Sequence, residues 1–256
     1  MGIMDWMSSK GNVLYYPGCL TKFAIKENMQ NYKDIFNILG VDFIMLPNNE
    51  VCCGLPIINA GYKKQAKELA KRNFESFKKN KIKKIITNCP SCYHMFKDEY
   101  PKVLDNWDIE VEHATQTILN ALKKKKLPVV YITEDVAYHD SCHLGRYCGI
   151  YEEPREAIKL LGGNLIEMSH TRKNALCCGA GAGVKANYPE LAKEIAKTRL
   201  KHLPKQANIV ISACSLCSSN LQLGLNSLES ENKIKKSQIK SEEFSSFVLR
   251  KLKEIK

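Results

Sequence analysis

The feature that most constrains this chain is a set of five cysteines that occurs twice in the same order. Each set has a single cysteine, then two adjacent cysteines, then a C-x-x-C pair. The adjacent and C-x-x-C cysteines recur at an offset of 125 residues and the single cysteines at 123. This repetition predicts a duplicated chain with one unit in each half. The first set is Cys19, Cys52, Cys53, Cys89 and Cys92, and the second is Cys142, Cys177, Cys178, Cys214 and Cys217.

The segments around the cysteines predict an α/β fold. Short apolar strands alternate with helices in each half, which indicates two tandem Rossmann-like units with parallel sheets, related by pseudo-two-fold symmetry. Ligands bind beyond the carboxyl ends of strands in such sheets, and the single cysteines and C-x-x-C pairs fall there. Strands are predicted at 13–16, 41–46, 84–87, 129–132, 136–138, 165–168 and 209–212, and helices at 63–79, 115–125, 154–161, 191–203 and 244–255, with a further helical stretch ending at 39.

The same pattern divides the chain. We expect a first cysteine-rich unit at 12–127, a second at 128–228, and a polar tail with a C-terminal helix at 229–256. The unit boundary is expected near Leu127-Pro128. The terminal helix, Phe244 to Ile255, is amphipathic and is expected to dock on the body of the protein.

Composition and charge exclude some classes of protein. Of the 256 residues, 44% are hydrophobic and 26% charged, and no apolar run reaches the roughly 18 residues of a membrane helix. The chain shows no signal-peptide pattern, so a cytoplasmic location is expected. The net charge of +12 comes mainly from Lys on helical segments without interleaved aromatic residues, which favours a solvated surface over nucleic-acid binding. Lys22 and Arg146, which follow the single cysteines, are candidate ligands for a small anionic substrate.

The cysteines themselves indicate metal chemistry. A cytoplasm keeps thiols reduced, so these side chains are more often metal ligands than disulfides. A thioredoxin-type C-x-x-C motif does not require the other three cysteines of each set. A closed zinc site uses four ligands, whereas an iron–sulfur cluster can take thiolates from several loops. The fifth cysteine therefore favours an iron–sulfur cluster, and zinc at one site remains the alternative.

The motifs resemble the cysteine-rich CCG domain family over about residues 12 to 222. The resemblance rests on the spacing of both cysteine sets, on Cys53-Gly54 and Cys178-Gly179, and on the segments Tyr16-Pro17-Gly18-Cys19 and His139-Asp140-Ser141-Cys142-His143-Leu144-Gly145-Arg146. The family includes the catalytic subunit of methanogen heterodisulfide reductase and its membrane-linked counterpart, an iron–sulfur subunit of thiol:fumarate reductase, and iron–sulfur subunits of glycolate and lactate oxidation. The resemblance implies a noncubane [4Fe-4S] cluster at each set, with all ten cysteines as ligands and a disulfide cleaved between the clusters.

The resemblance also implies a function. We expect an iron–sulfur subunit of a thiol/disulfide oxidoreductase of the heterodisulfide reductase type, acting within a complex. No ferredoxin-type cysteine segment precedes the first set, so a ferredoxin-like iron–sulfur subunit or a flavoprotein is the expected electron donor. Two alternatives remain open: an electron-transfer subunit of a glycolate- or lactate-type hydroxy-acid oxidase, and a non-catalytic metal-binding scaffold.

Residues beside the cysteines allow both a catalytic and a structural interpretation. His139 and His143 flank Cys142 and are candidate catalytic proton donors, although histidines in a structural role would fit as well. His94 carries the same two interpretations. Cys148, the eleventh cysteine, has no counterpart in the first half and is expected to be a small buried residue rather than a ligand.

Overall fold

Two parallel sheets with flanking helices form the protein in a computed structural model that describes residues 12–46, 51–125, 131–132, 134–235 and 238–255. The first half contains β1 (Asn12–Tyr16), α1 (Cys19–Phe23), α2 (Lys26–Leu39), α3 (Leu55–Asn59), α4 (Lys63–Lys79), β2 (Ile82–Thr87), α5 (Pro90–His94), a π-helix (Met95–Glu99), α6 (Tyr100–Val103), β3 (Glu110–His113) and α7 (Ala114–Lys124). The second half contains β4 (Glu134–Tyr138), a π-helix (His143–Tyr147), α8 (Glu152–Leu160), β5 (Gly163–Leu165), a 3₁₀ turn (Arg172–Asn174), α9 (Val184–Asn187), α10 (Pro189–Leu200), β6 (Ile209–Ser212), α11 (Ser215–Ser230), β7 (Lys240–Glu243) and α12 (Phe244–Glu254).

The two sheets have the same strand order, which confirms the predicted pair of parallel α/β units. The first is ordered β1-β2-β3 and the second β5-β4-β6-β7, and all pairs are parallel. β1 corresponds to β4, β2 to β6 and β3 to β7. An isolated bridge between Leu14 and Ile44 occupies the position that β5 has in the second sheet.

Three predicted strands differ from the structure. Residues 41–46 form only the Ile44 bridge, because two backbone hydrogen bonds to β1 are made there and the pairing goes no further. The strand expected at 165–168 lies earlier, as β5. The strand expected at 129–132 and the Leu127-Pro128 boundary fall largely outside the described residues, and 131–132 are exposed and without regular structure.

The C-terminal segment repeats an arrangement from the first half. The sequence did not predict β7, which adds a fourth strand beside β6 and leads directly into α12. Side chains cap both equivalent helices: His113 accepts a hydrogen bond from the Thr115 backbone N–H of α7, and Glu243 from the Ser245 N–H of α12. α12 docks on α2, as expected, and buries residues such as Phe247. Full burial of such a side chain contributes roughly 1.5–3 kcal/mol.

One hydrophobic core joins the two halves and positions the cysteines. α12 of the second half packs on α2 of the first, and α7 of the first packs on α8 of the second. Near the carboxyl ends of the strands, α5 contacts the π-helix at 143–147 and α1 contacts α11, so the cysteine-bearing segments of the halves face each other. The shared core includes Tyr15, Phe36, Ile118, Val136, Ile158 and Phe247.

Candidate metal centres

The five cysteines of the first set come together beyond the ends of β1 and β2. Cys19 begins α1, and Cys89 caps α5, which carries Cys92. The adjacent pair lies in the loop before α3. Contacts between neighbouring thiols link all five in one series: Cys19 with Cys52, Cys52 with Cys53, Cys53 with Cys92, and Cys92 with Cys89.

The second set repeats this arrangement beyond β4 and β6. Its thiols are linked in the equivalent order: Cys142 to Cys177, Cys177 to Cys178, Cys178 to Cys217, and Cys217 to Cys214. The sulfurs of Cys178 and Cys217 are 3.1 Å apart. The structure therefore brings each predicted set of five together.

A glycine follows each adjacent pair and turns its backbone toward a thiol. Gly54 (φ +97°) donates its N–H to Cys52 Sγ over 3.4 Å, and Gly179 (φ +88°) donates to Cys177 Sγ over 3.3 Å. Such left-handed conformations suit glycine, and N–H groups directed at sulfur stabilise its negative charge.

Crowding changes the acidity of the thiols. Hydrogen bonds from Cys142 and Cys178 lower the pKa of Cys177 to about 2. Hydrogen bonds from Cys52 and Cys92 lower the pKa of Cys53 to about 5. The pKa of Cys142 is raised, first by its hydrogen bond to Cys177 and then by burial. Each site thus already favours at least one thiolate, the form that binds metal.

A buried histidine and arginine lie behind the second site. A ring nitrogen of His139 is within 4.8 Å of the sulfurs of Cys178 and Cys217. Arg199 donates from Nε to His139 Nδ1 over 3.1 Å and from Nη1 to the His170 carbonyl oxygen over 2.9 Å. Burial, followed by the charge of Arg199, lowers the pKa of His139 to about 3, so its ring is neutral. The hydrogen-bond network therefore assigns the ring proton to Nε2.

Two buried polar atoms of this pair have no hydrogen-bond partner among the described residues: His139 Nε2 and Arg199 Nη2. Burial lowers the pKa of Arg199 to about 10, which still leaves it charged at neutral pH. Unpaired buried donors are costly. Together with five thiols, they fit a site that receives an anionic, sulfur-rich group.

Two neutral side chains, Asn73 and Tyr100, hold the loop of the first site instead. Asn73 of α4 donates to the Cys52 carbonyl oxygen over 3.1 Å and to the Tyr100 hydroxyl over 2.9 Å, and Tyr100 donates to the Cys53 carbonyl oxygen. The sequence motifs pointed to neither Asn73 nor Arg199. Both lie on the apolar side of an amphipathic helix, and a polar residue in that phase is the only signal that could have indicated them.

A buried ion pair fixes the segment before Cys142. Arg155 of α8 binds Asp140 through both Nη atoms, at 2.7 and 2.8 Å, and also binds Glu167. Asp140 accepts the Arg172 backbone N–H as well. These contacts hold the turn that places Cys142 and His139 beyond β4.

A cleft of about 500 Å³ opens between the halves at the second site. Cys142, Cys177 and His143 line one side, and α3 with Pro90 and Ser91 of the first half line the other. His143 is half-buried, with Nδ1 3.5 Å from Cys142 Sγ and its ring stacked on Tyr147. His139 is not among the lining residues and is fully buried.

The remaining predicted residues are divided between the surface and the interface. Arg146 donates to the Ala175 carbonyl oxygen over 2.6 Å, so its guanidinium is bound to the backbone. Lys22 is half-buried, with Nζ 5.7 Å from the centre of the Phe23 ring. His94 donates from Nδ1 to the Asp98 carboxylate over 3.0 Å, and Cys148, half-buried, lies within 4.8 Å of both.

Comparisons with known proteins assign the family. The cysteine-rich domain model matches residues 13–97 and 136–222. A subunit of the dihydromethanophenazine:CoB–CoM heterodisulfide reductase of Methanosarcina acetivorans is 35% identical over 88% of this chain and 57% of its own length. The EtfAB:quinone oxidoreductase of Syntrophomonas wolfei is 32% identical over 87% of this chain and 32% of its own length. A solved aspartate racemase of Picrophilus torridus covers 95% of this chain and 94% of its own at 12% identity and a TM-score of 0.41.

The chain therefore belongs to the cysteine-rich CCG domain family of iron–sulfur oxidoreductase proteins, with the domain present in two tandem copies. It spans little more than half the length of the heterodisulfide reductase subunit that it matches. Within the described ranges, no helix combines the length and apolar character needed to cross a membrane.

Proposed function

We propose that this chain is an iron–sulfur subunit of a thiol/disulfide oxidoreductase of the heterodisulfide reductase type. The observation that carries this proposal is a pair of five-thiol sites, one in each half, beside a cleft of about 500 Å³ between the halves. Cysteines of the second site line this cleft, and the first half contributes α3 with Pro90 and Ser91, which adjoin cysteines of the first site. Five thiols at each site exceed the four of a closed zinc site and suit a [4Fe-4S] cluster. The ligands would be Cys19, Cys52, Cys53, Cys89 and Cys92 at one site, and Cys142, Cys177, Cys178, Cys214 and Cys217 at the other.

The cleft residues suit disulfide chemistry. Breaking an S–S bond consumes two electrons and two protons and yields two thiols, and the reverse reaction forms the bond. Bound clusters would supply one-electron transfer, so two clusters match this requirement. His143 lines the cleft and can give a proton to a product thiolate. We propose that a ferredoxin-like iron–sulfur protein or a flavoprotein supplies the electrons, and that the substrate is a small anionic disulfide drawn by the positive charge of the protein.

The test is an anaerobic assay of the purified protein with a reduced viologen dye and small disulfides. We expect about eight irons per chain, two dye molecules oxidised per disulfide, and two thiols formed. His143→Gln should slow turnover at least tenfold without loss of iron, whereas His202→Gln, on the surface, should not. Intact clusters without thiol formation would refute the disulfide reaction. Zinc alone, with no visible absorbance, would refute the clusters.

A second candidate is electron transfer without disulfide chemistry, as in a hydroxy-acid oxidase or a flavoprotein-linked complex. The similarity to the EtfAB:quinone oxidoreductase supports it. In that case the purified protein would accept electrons from a reduced electron-transferring flavoprotein and pass them to a quinone analogue, and no disulfide would be reduced.

A further inference from the structure

The two five-thiol sites differ in the charge of the residues behind them. Arg199 is fully buried and forms no ion pair with a carboxylate among the described residues. The carboxylate whose charge acts on it is Asp140, which Arg155 already binds through both Nη atoms. A buried cation without its own counterion is costly unless an anion is bound nearby.

The equivalent position of the first site holds no charge. Among the backbone atoms of α4, the Ala66 carbonyl oxygen would lie nearest to a Cβ added at Gly54. A Cβ added at Gly179 would meet the Ala192 carbonyl oxygen of α10. The two helices therefore pack on equivalent loops through equivalent residues. Seven residues after each alanine stand Asn73 and Arg199, both fully buried. Three residues before the single cysteines, Tyr16 of the first half likewise corresponds to His139 of the second.

The path from the guanidinium to the second site is short. Arg199 Nε is 3.1 Å from His139, and a ring nitrogen of His139 is within 4.8 Å of two cysteine sulfurs. Adding an electron makes a cluster more negative, so a buried cation at this range stabilises the reduced form. Exposed lysines contribute far less because solvent and salt screen them.

We propose that Arg199, held by His139, is a positioning residue whose fixed charge gives the second site the higher reduction potential, so that an electron entering the protein resides there first. This inference rests on the proposed function because it requires a cluster at each site. The cluster that is reduced first would then lie beside the cleft, whose lining includes the cysteines of the second site.

The test is a redox titration of the anaerobically purified protein, followed by electron paramagnetic resonance and visible absorbance. Wild-type protein should show two midpoint potentials. Arg199→Gln should lower only the higher one, by enough to change the reduced-to-oxidised ratio at least tenfold at fixed potential, or about 59 mV for one electron. Arg199→Lys, which keeps the charge, should leave the higher midpoint potential close to its wild-type value. Arg72→Gln, which removes an exposed arginine from the equivalent helix α4, should move neither midpoint.

Each outcome decides between the two claims. A single cluster in wild-type protein would overturn the two-cluster function and this inference with it. Two clusters with equal midpoints, or two midpoints that Arg199→Gln leaves unchanged or lowers together, would overturn the inference alone. If Arg199→Gln does not fold, Arg199→Met provides a neutral side chain of similar length that adds no polar group of its own, and the same titration applies.

Discussion

The two glycines that follow the adjacent cysteines allow one substitution to be compared at two equivalent positions. Gly54 and Gly179 have similar positive φ values and make the same N–H to sulfur contact. Their surroundings differ. A Cβ on Gly179 would lie 2.7 Å from the Ala192 carbonyl oxygen and 2.8 Å from Ile195 Cβ, whereas on Gly54 the nearest atom would be 3.6 Å away.

These distances set the expected cost of alanine at each position. A left-handed alanine costs about 1–2 kcal/mol at both sites. At Gly179 the new methyl group also overlaps the backbone of α10, and overpacking of this kind adds about 1–3 kcal/mol. We therefore expect Gly179→Ala to reduce the free energy of unfolding by about 2–5 kcal/mol, and Gly54→Ala by about 1–2 kcal/mol.

Urea unfolding followed by far-ultraviolet circular dichroism measures both values, with iron content determined in parallel. Because each variant retains the backbone N–H, the difference between them reports packing rather than the hydrogen bond to sulfur. Equal losses of stability, within about 0.5 kcal/mol, would refute the claim that close contact with α10 decides the cost at Gly179.

Three further predictions concern charge and ligation. Asp140→Asn leaves the buried guanidinium of Arg155 without its fully buried partner and should cost about 3–5 kcal/mol of stability. Burial raises the pKa of Glu243 to about 7, so the proton that it holds in the folded state stabilises the fold fully below about pH 4.5. This contribution, about 3 kcal/mol, is lost as the pH rises through 7. Glu243→Gln should remove this decline in stability. Cys148→Ala should leave the iron content unchanged, whereas Cys217→Ala should lower it.

The controls for these predictions are direct. Glu152→Gln breaks an exposed ion pair with Arg172 and should cost less than about 1 kcal/mol, and a similar cost for Asp140→Asn would contradict the argument from burial. Unfolding at pH 5 and pH 8 separates wild-type protein from Glu243→Gln, and equal pH dependence would show that Glu243 is ionised in both states. Loss of iron from Cys148→Ala would make Cys148 a ligand or a support for one.

The sequence was most informative where chemistry and periodicity agreed. The cysteine offsets predicted the two groups of five thiols that the structure brings together, and the apolar stripe of Ala66, Leu69, Ala70, Phe74 and Phe77 placed helix α4 at its observed bounds. β6 also lies where its apolar run predicted it. These features are local or repeated, so no knowledge of tertiary contacts was needed to find them.

Other features depend on contacts that sequence patterns do not show. β7 has the sequence Lys-Ser-Glu-Glu and lacks the apolar alternation of a strand, because it lies at the edge of its sheet and its pairing with β6 defines it. Residues 41–46 are apolar except for Asp42 but pair only at Ile44. Arg199 lies in phase with the buried Ala192 and Ala196 of α10, but the packing of that helix is needed to show that its guanidinium is enclosed.

The shared core between the halves has a consequence for how such a chain could arise. The last helix of each half packs on the other half, α7 on α8 and α12 on α2. A half expressed alone would leave these apolar faces open to water, and pairing with an identical copy would close them again. An ancestor with one cysteine set is therefore expected to have been a homodimer, in which gene duplication and fusion later allowed one protomer to acquire a buried charge that the other lacks.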